Sequence, residues 1–192
     1  MTDARTAAVR EGATRLLEIL DEVGDDLLLR EKDLALVLSD LLAVPGLDQV
    51  NANPTWTAAG ADQVTTGWLY QDGDLRIVRG TMPAGFRQSP HNHGNWNIFG
   101  VYRGAAHYRS YRRLDDATVP YRAELEVAED RVMTDGDVTV LPAPPHDIHA
   151  VTALAPLTTT LLVARGPFSL LRQLYLPEIG AYYELPAEQA AR

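Results

Sequence analysis

Cysteine is absent from this chain of 192 residues, which excludes disulfides, thiolate nucleophiles, iron–sulfur clusters and thiolate zinc sites together. Lysine occurs once, at Lys32, so nothing after it supplies the amine of a Schiff base or of a P-loop phosphate contact. Serine is scarce as well. None of Ser39, Ser89, Ser110 and Ser169 sits in a Gly-x-Ser-x-Gly elbow, and no Gly-rich dinucleotide fingerprint opens a helix. No run approaches the 18 or so apolar residues of a membrane span, and no basic segment followed by an apolar core marks a signal peptide, so a cytoplasmic protein is expected. Positive charge is in deficit: 17 basic side chains against 26 acidic ones give a formal charge of -9. Nucleic acid and anionic membrane are poor partners for such a surface, and neither is expected.

What is present suits one packed domain. Hydrophobic residues make up 46% and charged residues 22%, close to the soluble average, and the length supports one sizeable core. The acidity is concentrated at the front, with 11 acidic and 5 basic side chains in residues 1–50 against 15 and 12 in residues 51–192. In that first segment Val9, Ala13, Leu16, Leu17, Leu20 and Val23 recur at three- and four-residue steps, as do Leu34, Val37, Leu38, Leu41 and Leu42. This spacing predicts two amphipathic helices, the second ended by Pro45-Gly46, with their acidic faces solvated.

From about Val64 the texture changes to short runs rich in Val, Thr, Tyr and Leu, separated by turn signals at Asp72-Gly73, Pro83-Ala84-Gly85, Arg103-Gly104 and Asp135-Gly136. The expected strands cover residues 64–70, 75–82, 95–102, 105–113, 124–128, 137–141, 148–153, 158–165 and 170–175. Many short strands without intervening helices imply a sandwich or barrel. The expected organisation is a helical segment over 1–50 packed on a barrel formed by 51–192.

Four of the five histidines fall in two tight groups, His91 with His93 and His146 with His149. Side chains two apart on a strand point to one face, so His91 and His93 project together and can chelate a metal. A third imidazole from a neighbouring strand completes a facial set of three nitrogens and leaves positions open for substrate or oxygen. A lone histidine is more simply a hydrogen-bonded core or loop residue; this clustering favours the metal.

The spacing around the histidines adds a resemblance. Gly85, five residues, His91, one residue, His93, three residues, Asn97, six residues and Gly104 resemble the first cupin motif, with Asn97 where a glutamate is usual. Gly136, five residues, Pro142 and the nearby histidines resemble the second, with Pro144 where a glycine is usual. Within cupins, the stretch from Pro90 to Trp96, Gly100-Val101-Tyr102-Arg103-Gly104 and Asp147-Ile148-His149 look like the bacterial branch of the cysteine dioxygenase family. That resemblance implies a mainly β protein, a double-stranded β-helix (jelly-roll) barrel with a short N-terminal helical segment. It also implies an iron(II) ion held by His91, His93 and His149, with His146 as the alternative third ligand. Zinc, manganese or nickel suit the same donors.

Three neutral imidazoles leave a divalent ion its full charge, so a small anionic substrate, thiolate or enolate, is expected to bind alongside dioxygen. Asn97 is then an amide beside the ligands or a substrate contact, since a neutral amide substitutes poorly for a carboxylate. The relay positions of the family fall on Thr160, Leu162 and Ala164, of which only Thr160 keeps a hydroxyl. The early-strand carboxylate anchor falls near Thr66, which cannot pair with a carboxylate as a guanidinium does. Thr160 and Tyr102 are the candidate catalytic groups. Arg79, Arg87, Trp96 and Asn97 are the candidate substrate contacts, with Arg103, Arg109, Arg112 and Arg113 as further cations near the histidines. Trp96, Tyr102, Tyr108 and Tyr111 serve equally as core, and His107, alternating with Arg109 and Tyr111, reads as structural. The leading expectation is a monomeric or homodimeric iron-dependent thiol dioxygenase-like enzyme. A zinc- or manganese-dependent hydrolase or isomerase, or a non-catalytic small-molecule-binding cupin, are the alternatives.

Overall fold

The structure, a computed structural model, describes residues 3–23, 27–50, 53–57, 65–166 and 170–186. Two helices open the chain, α1 (Ala4–Val23) and α2 (Glu31–Leu42). Twelve strands follow: β1 (Asn53–Thr57), β2 (Thr65–Asp72), β3 (Leu75–Pro83), β4 (Arg87–His91), β5 (Asn97–Arg103), β6 (Ala105–Arg113), β7 (Leu125–Thr134), β8 (Val138–Leu141), β9 (Ile148–Ala153), β10 (Leu157–Arg165), β11 (Leu171–Leu176) and β12 (Ala181–Pro186). They form two antiparallel sheets in the orders β1-β2-β3-β10-β5-β8 and β12-β11-β4-β9-β6-β7.

The connectivity identifies the architecture. β6 and β7 form a hairpin, β5 pairs with β8, β4 with β9 and β3 with β10. These nested pairs are one long hairpin wound into a barrel, which is the double-stranded β-helix, or jelly roll, that the motifs imply. Period-2 alternation then decides what lies inside. Met82, Phe99, Val101, Ala106, Tyr108, Met133, Leu141, Val151 and Ala153 pack together between the sheets. Ile77, Ile98, Tyr102, Leu161 and Val163 face the other way and receive the helices.

The helix stripes land there as their spacing predicts. Leu16, Leu20, Leu34 and Leu38 are fully buried, each contributing about 1.5–3 kcal/mol through burial. Gly100 allows the approach, because a Cβ at that position meets Leu42 Cδ1 at 2.8 Å. Since β5 is covered on both sides, it reads as an unbroken buried run rather than an alternating one. A third cluster, Tyr111, Ala123, Ile148 and Tyr175, covers the outer face of the second sheet.

Three strands carry no signal used in the sequence reading: β1, β4 and β12. β4 reads Arg-Gln-Ser-Pro-His and has no apolar alternation. β7 runs to Thr134 rather than ending at 128, because residues 129–134 continue the ladder with β6 as far as the pairing of Ala105 with Thr134. The expected strand start at Val64 lies outside the described residues.

Candidate metal centre

The first ligand position is made by an irregularity in β4. Arg87 lies across from Thr152 and Gln88 across from Val151, but the next pair is His91 with His149, one residue out of step. Without that extra residue Pro90 would oppose His149, and His91 would face outward with Ile148. The bulge turns His91 onto the inward face that His149 shares with Val151. Pro90, which has no N–H to contribute to a ladder, stands within it.

The strand ends at His91, so His93 does not share a strand face with it as the two-residue period predicts. Instead His93 is aimed by a turn. Asp147, just before β9, accepts hydrogen bonds at Oδ2 from the backbone N–H groups of His93 (3.0 Å) and Gly94 (2.7 Å). Gly94 has φ +81°, where a side chain would be strained. Thus Asp147 of the Asp-Ile-His run ties the loop carrying one ligand to the strand carrying another.

The result is a compact triangle. Ring centroids of His91, His93 and His149 lie 4.9, 4.8 and 5.0 Å apart, and the candidate ligand atoms all fall within 4.8 Å of one another. His91 Nδ1 donates to the Ser89 carbonyl at 2.8 Å, which leaves its Nε2 lone pair for an ion. Nε2 of His93 and of His149 stand 3.0 Å apart. Metal–imidazole bonds of about 2.1 Å place two nitrogens about 3.0 Å apart at a right angle and about 3.4 Å apart at the tetrahedral angle. The His93–His149 spacing is what two ligands of one ion require, and the donor set fits a divalent transition metal.

Electrostatics keep these rings ready to ligate. Burial, reinforced by the charge of Arg172, pushes His91 down to about 3. Burial likewise holds His93 and His149 well below the ordinary histidine value, with Arg172 and neighbouring rings of the triangle acting in the same direction. All three are neutral at pH 7. Burial also raises the Asp147 carboxyl above its usual range, against the lowering effect of its backbone hydrogen bonds.

The remaining candidates divide by sheet face. Thr160 points inward across from Gly80, in a row with Thr66 and Val101, and Leu162 and Ala164 continue that inward face toward Phe99 and Asn97. Asn97 is fully buried on the inward face, two residues from Phe99, whose ring meets His149 edge-on at 5.9 Å. Tyr102 instead faces the helices. Its hydroxyl accepts from Leu47 N at 3.0 Å and donates to Val44 O at 3.1 Å. Arg79 is on the same outer side, donating to the carbonyls of Leu47, Asp48 and Val50. Trp96 is buried in that helix-facing core, and Arg87 is exposed beyond the bulge. These four therefore sit apart from the histidine triangle: strand parity turns Tyr102, Arg79 and Arg87 away from the barrel interior, and Trp96, just before β5, packs with the helices.

His146 lies in the turn before β9 and is not part of the triangle. Arg103 pairs with Asp48, Arg109 with Asp130, Arg112 with Glu126 and Arg113 with Asp115. His107 also meets Asp130, at 2.5 Å.

The cation that reaches the centre is one the sequence reading passed over, Arg172. Leu174 pairs with His91, so Arg172, two residues earlier, is on the same inward face, and its charge acts on all three histidines. The charge of Asp147 holds its guanidinium up, but burial outweighs this and lowers it to about 10. An arginine at the period of Leu174 in a strand was the available signal. The flanking Gln173 faces outward and grips the loop between the ligands: Gln173 N donates to Asn92 Oδ1 at 2.9 Å and Asn92 N to Gln173 O at 3.3 Å.

No protein-family model and no curated protein matches the sequence. Several solved structures are similar to it. A cupin superfamily protein from Desulfitobacterium hafniense is 18% identical with a TM-score of 0.40, over 58% of this chain and 84% of that one. KdgF from Halomonas sp. is 22% identical with a TM-score of 0.41, over 57% and 86%. The DMSP lyase DddQ from Ruegeria pomeroyi is 19% identical with a TM-score of 0.46, over 78% and 70%. At such identities nothing about activity passes from those proteins to this chain.

Proposed function

We propose that the chain is a mononuclear iron(II) oxygenase whose most specific form is a thiol dioxygenase, converting a small anionic thiol and one O2 to the sulfinate. The observation that carries this reading is a buried triangle of three neutral imidazoles, His91, His93 and His149, which no carboxylate joins among the described residues. Iron(II) held there supplies a redox centre that keeps its full double charge and so favours an anionic co-ligand. Arg172 adds a fixed positive charge on the same inward face and orients the anionic end of the substrate. Asp147 holds the His93 turn and sits opposite in sign to Arg172, keeping that guanidinium charged despite its burial. Phe99, Leu162 and Tyr108 line the interior with largely apolar surface. Thr160 offers a hydroxyl further along the same face. A zinc- or manganese-dependent hydrolase or isomerase is the competing use of the same donors.

The test is to strip the purified protein of metal, reload it separately with iron(II), zinc and manganese, and follow oxygen uptake with a panel of small carboxylated and amino thiols. Oxygen consumption with iron alone, abolished in His149→Ala, is the expected outcome. Turnover with zinc that needs no oxygen would overturn the oxygenase reading and establish the hydrolytic one.

A further inference from the structure

We propose that Asn97 is the group that reads the substrate, its buried amide taking a ligand function that donates and accepts hydrogen bonds at once, a hydroxyl or a primary amide, in addition to the anionic end. This rests on the reading of the histidine triangle as a binding centre. Asn97 is 0% exposed, and both its Oδ1 and its Nδ2 lack a hydrogen-bond partner. Such a group is costly inside a protein, and native structures rarely keep one without a use. The strands on either side cannot satisfy it. Ala164 of β10 lies across from it on one side and Leu141 of β8 on the other, and neither side chain hydrogen-bonds. Packing alone would be served better by an apolar side chain, which buries no polar atoms.

Its direction is set by the strand. Asn97 shares the inward face with Phe99 and Val101, and Phe99 abuts His149. It follows His93 by four residues through the Gly94 turn, so the amide borders the interior that the triangle faces. Chemistry then narrows the ligand. A carboxylate or thiolate accepts only, which would satisfy Nδ2 and leave Oδ1 stranded. A hydroxyl or amide satisfies both atoms, so the substrate carries such a group besides its charge.

Zinc-loaded protein, kept anaerobic so that nothing turns over, tests this by calorimetric titration with propionate, 3-hydroxypropionate and malonamate. The wild type should prefer the two functionalised anions over propionate by about tenfold. Asn97→Leu should abolish the preference, the three anions then binding within about twofold of one another. A preference that survives in Asn97→Leu overturns the proposal, because the metal or a water then reads the ligand. Failure of the wild type to retain zinc refutes the metal reading instead, so the two failures are distinguishable.

Discussion

Burying three neutral histidines makes the metal-free protein acid-sensitive at a pH far above the carboxylate range. The unfolded chain takes up a proton on each histidine near 6.5, whereas folded His91 resists protonation until about 3. Below 6.5 the unfolded state therefore binds more protons than the folded one, and stability falls as pH falls. For His91 the full effect between those two values is about 5 kcal/mol, at about 1.4 kcal/mol per unit. From about pH 7.5 to about pH 5.5 its share is about 1.4 kcal/mol, and His93 and His149, pushed down by the same burial, add to it in the same direction. Asp147 opposes them, since its raised folded value makes the native state bind a proton first. Urea unfolding of metal-stripped protein at the two pH values, wild type against His91→Gln, isolates the His91 share because Asp147 is common to both. The wild type should lose about 1.4 kcal/mol more than the variant across this interval. Equal losses in the two proteins would refute the assignment of a buried, neutral His91.

Three further substitutions separate the roles assigned above. Arg172→Gln should weaken binding of a small carboxylate to the zinc-loaded protein by about 10- to 100-fold, from loss of about 1.5–3 kcal/mol of charged hydrogen bonding; unchanged carboxylate affinity by calorimetry would remove Arg172 from the site. Asp147→Ala frees the His93–Gly94 turn and should cost about 10- to 100-fold in metal affinity, read by competition with a chelator. Tyr102→Phe leaves Leu47 N–H and Val44 C=O without their partner and should destabilise the protein by about 1–3 kcal/mol in urea unfolding while leaving metal affinity unchanged.

The sequence shows the helices and most of the barrel because their patterns are local. Leu16, Leu20, Leu34 and Leu38 repeat at helical steps, and 105–113 and 148–153 coincide with β6 and β9. What it conceals are features set by pairing between distant segments. The bulge that turns His91 inward exists only in the register of β4 against β9, so β4 itself, short, polar and interrupted by Pro90, gives no strand signal. Arg79 and Tyr102 lie on the strands that flank the histidine segment in sequence but face the helices, because parity along β3 and β5 sends them to the opposite side. Arg172 has the reverse history. It is remote in sequence from every ligand and reaches them through the single pairing of Leu174 with His91.

Charge inside the barrel bears on how a substrate is captured. The molecule as a whole carries a formal charge of -9, which repels anions at a distance, yet charges more than about 8 Å apart through solvent are largely screened at physiological ionic strength. Within the interior the balance is reversed. Arg172 faces Asp147, and at the half-exposed edge Glu129 and Arg131 neutralise each other, so a divalent ion held on three neutral imidazoles would keep its charge uncompensated until an anion bound. Attraction at that point acts between desolvated groups, where salt screens weakly. Adding sodium chloride should therefore speed the approach of a substrate anion by masking the outer acidic surface, while leaving its dissociation rate nearly unchanged. Stopped-flow binding to the zinc-loaded protein separates the two rates. An association rate that falls with salt would mean that an exposed cationic surface, and not the half-buried Arg172 and an ion on the triangle, does the capturing.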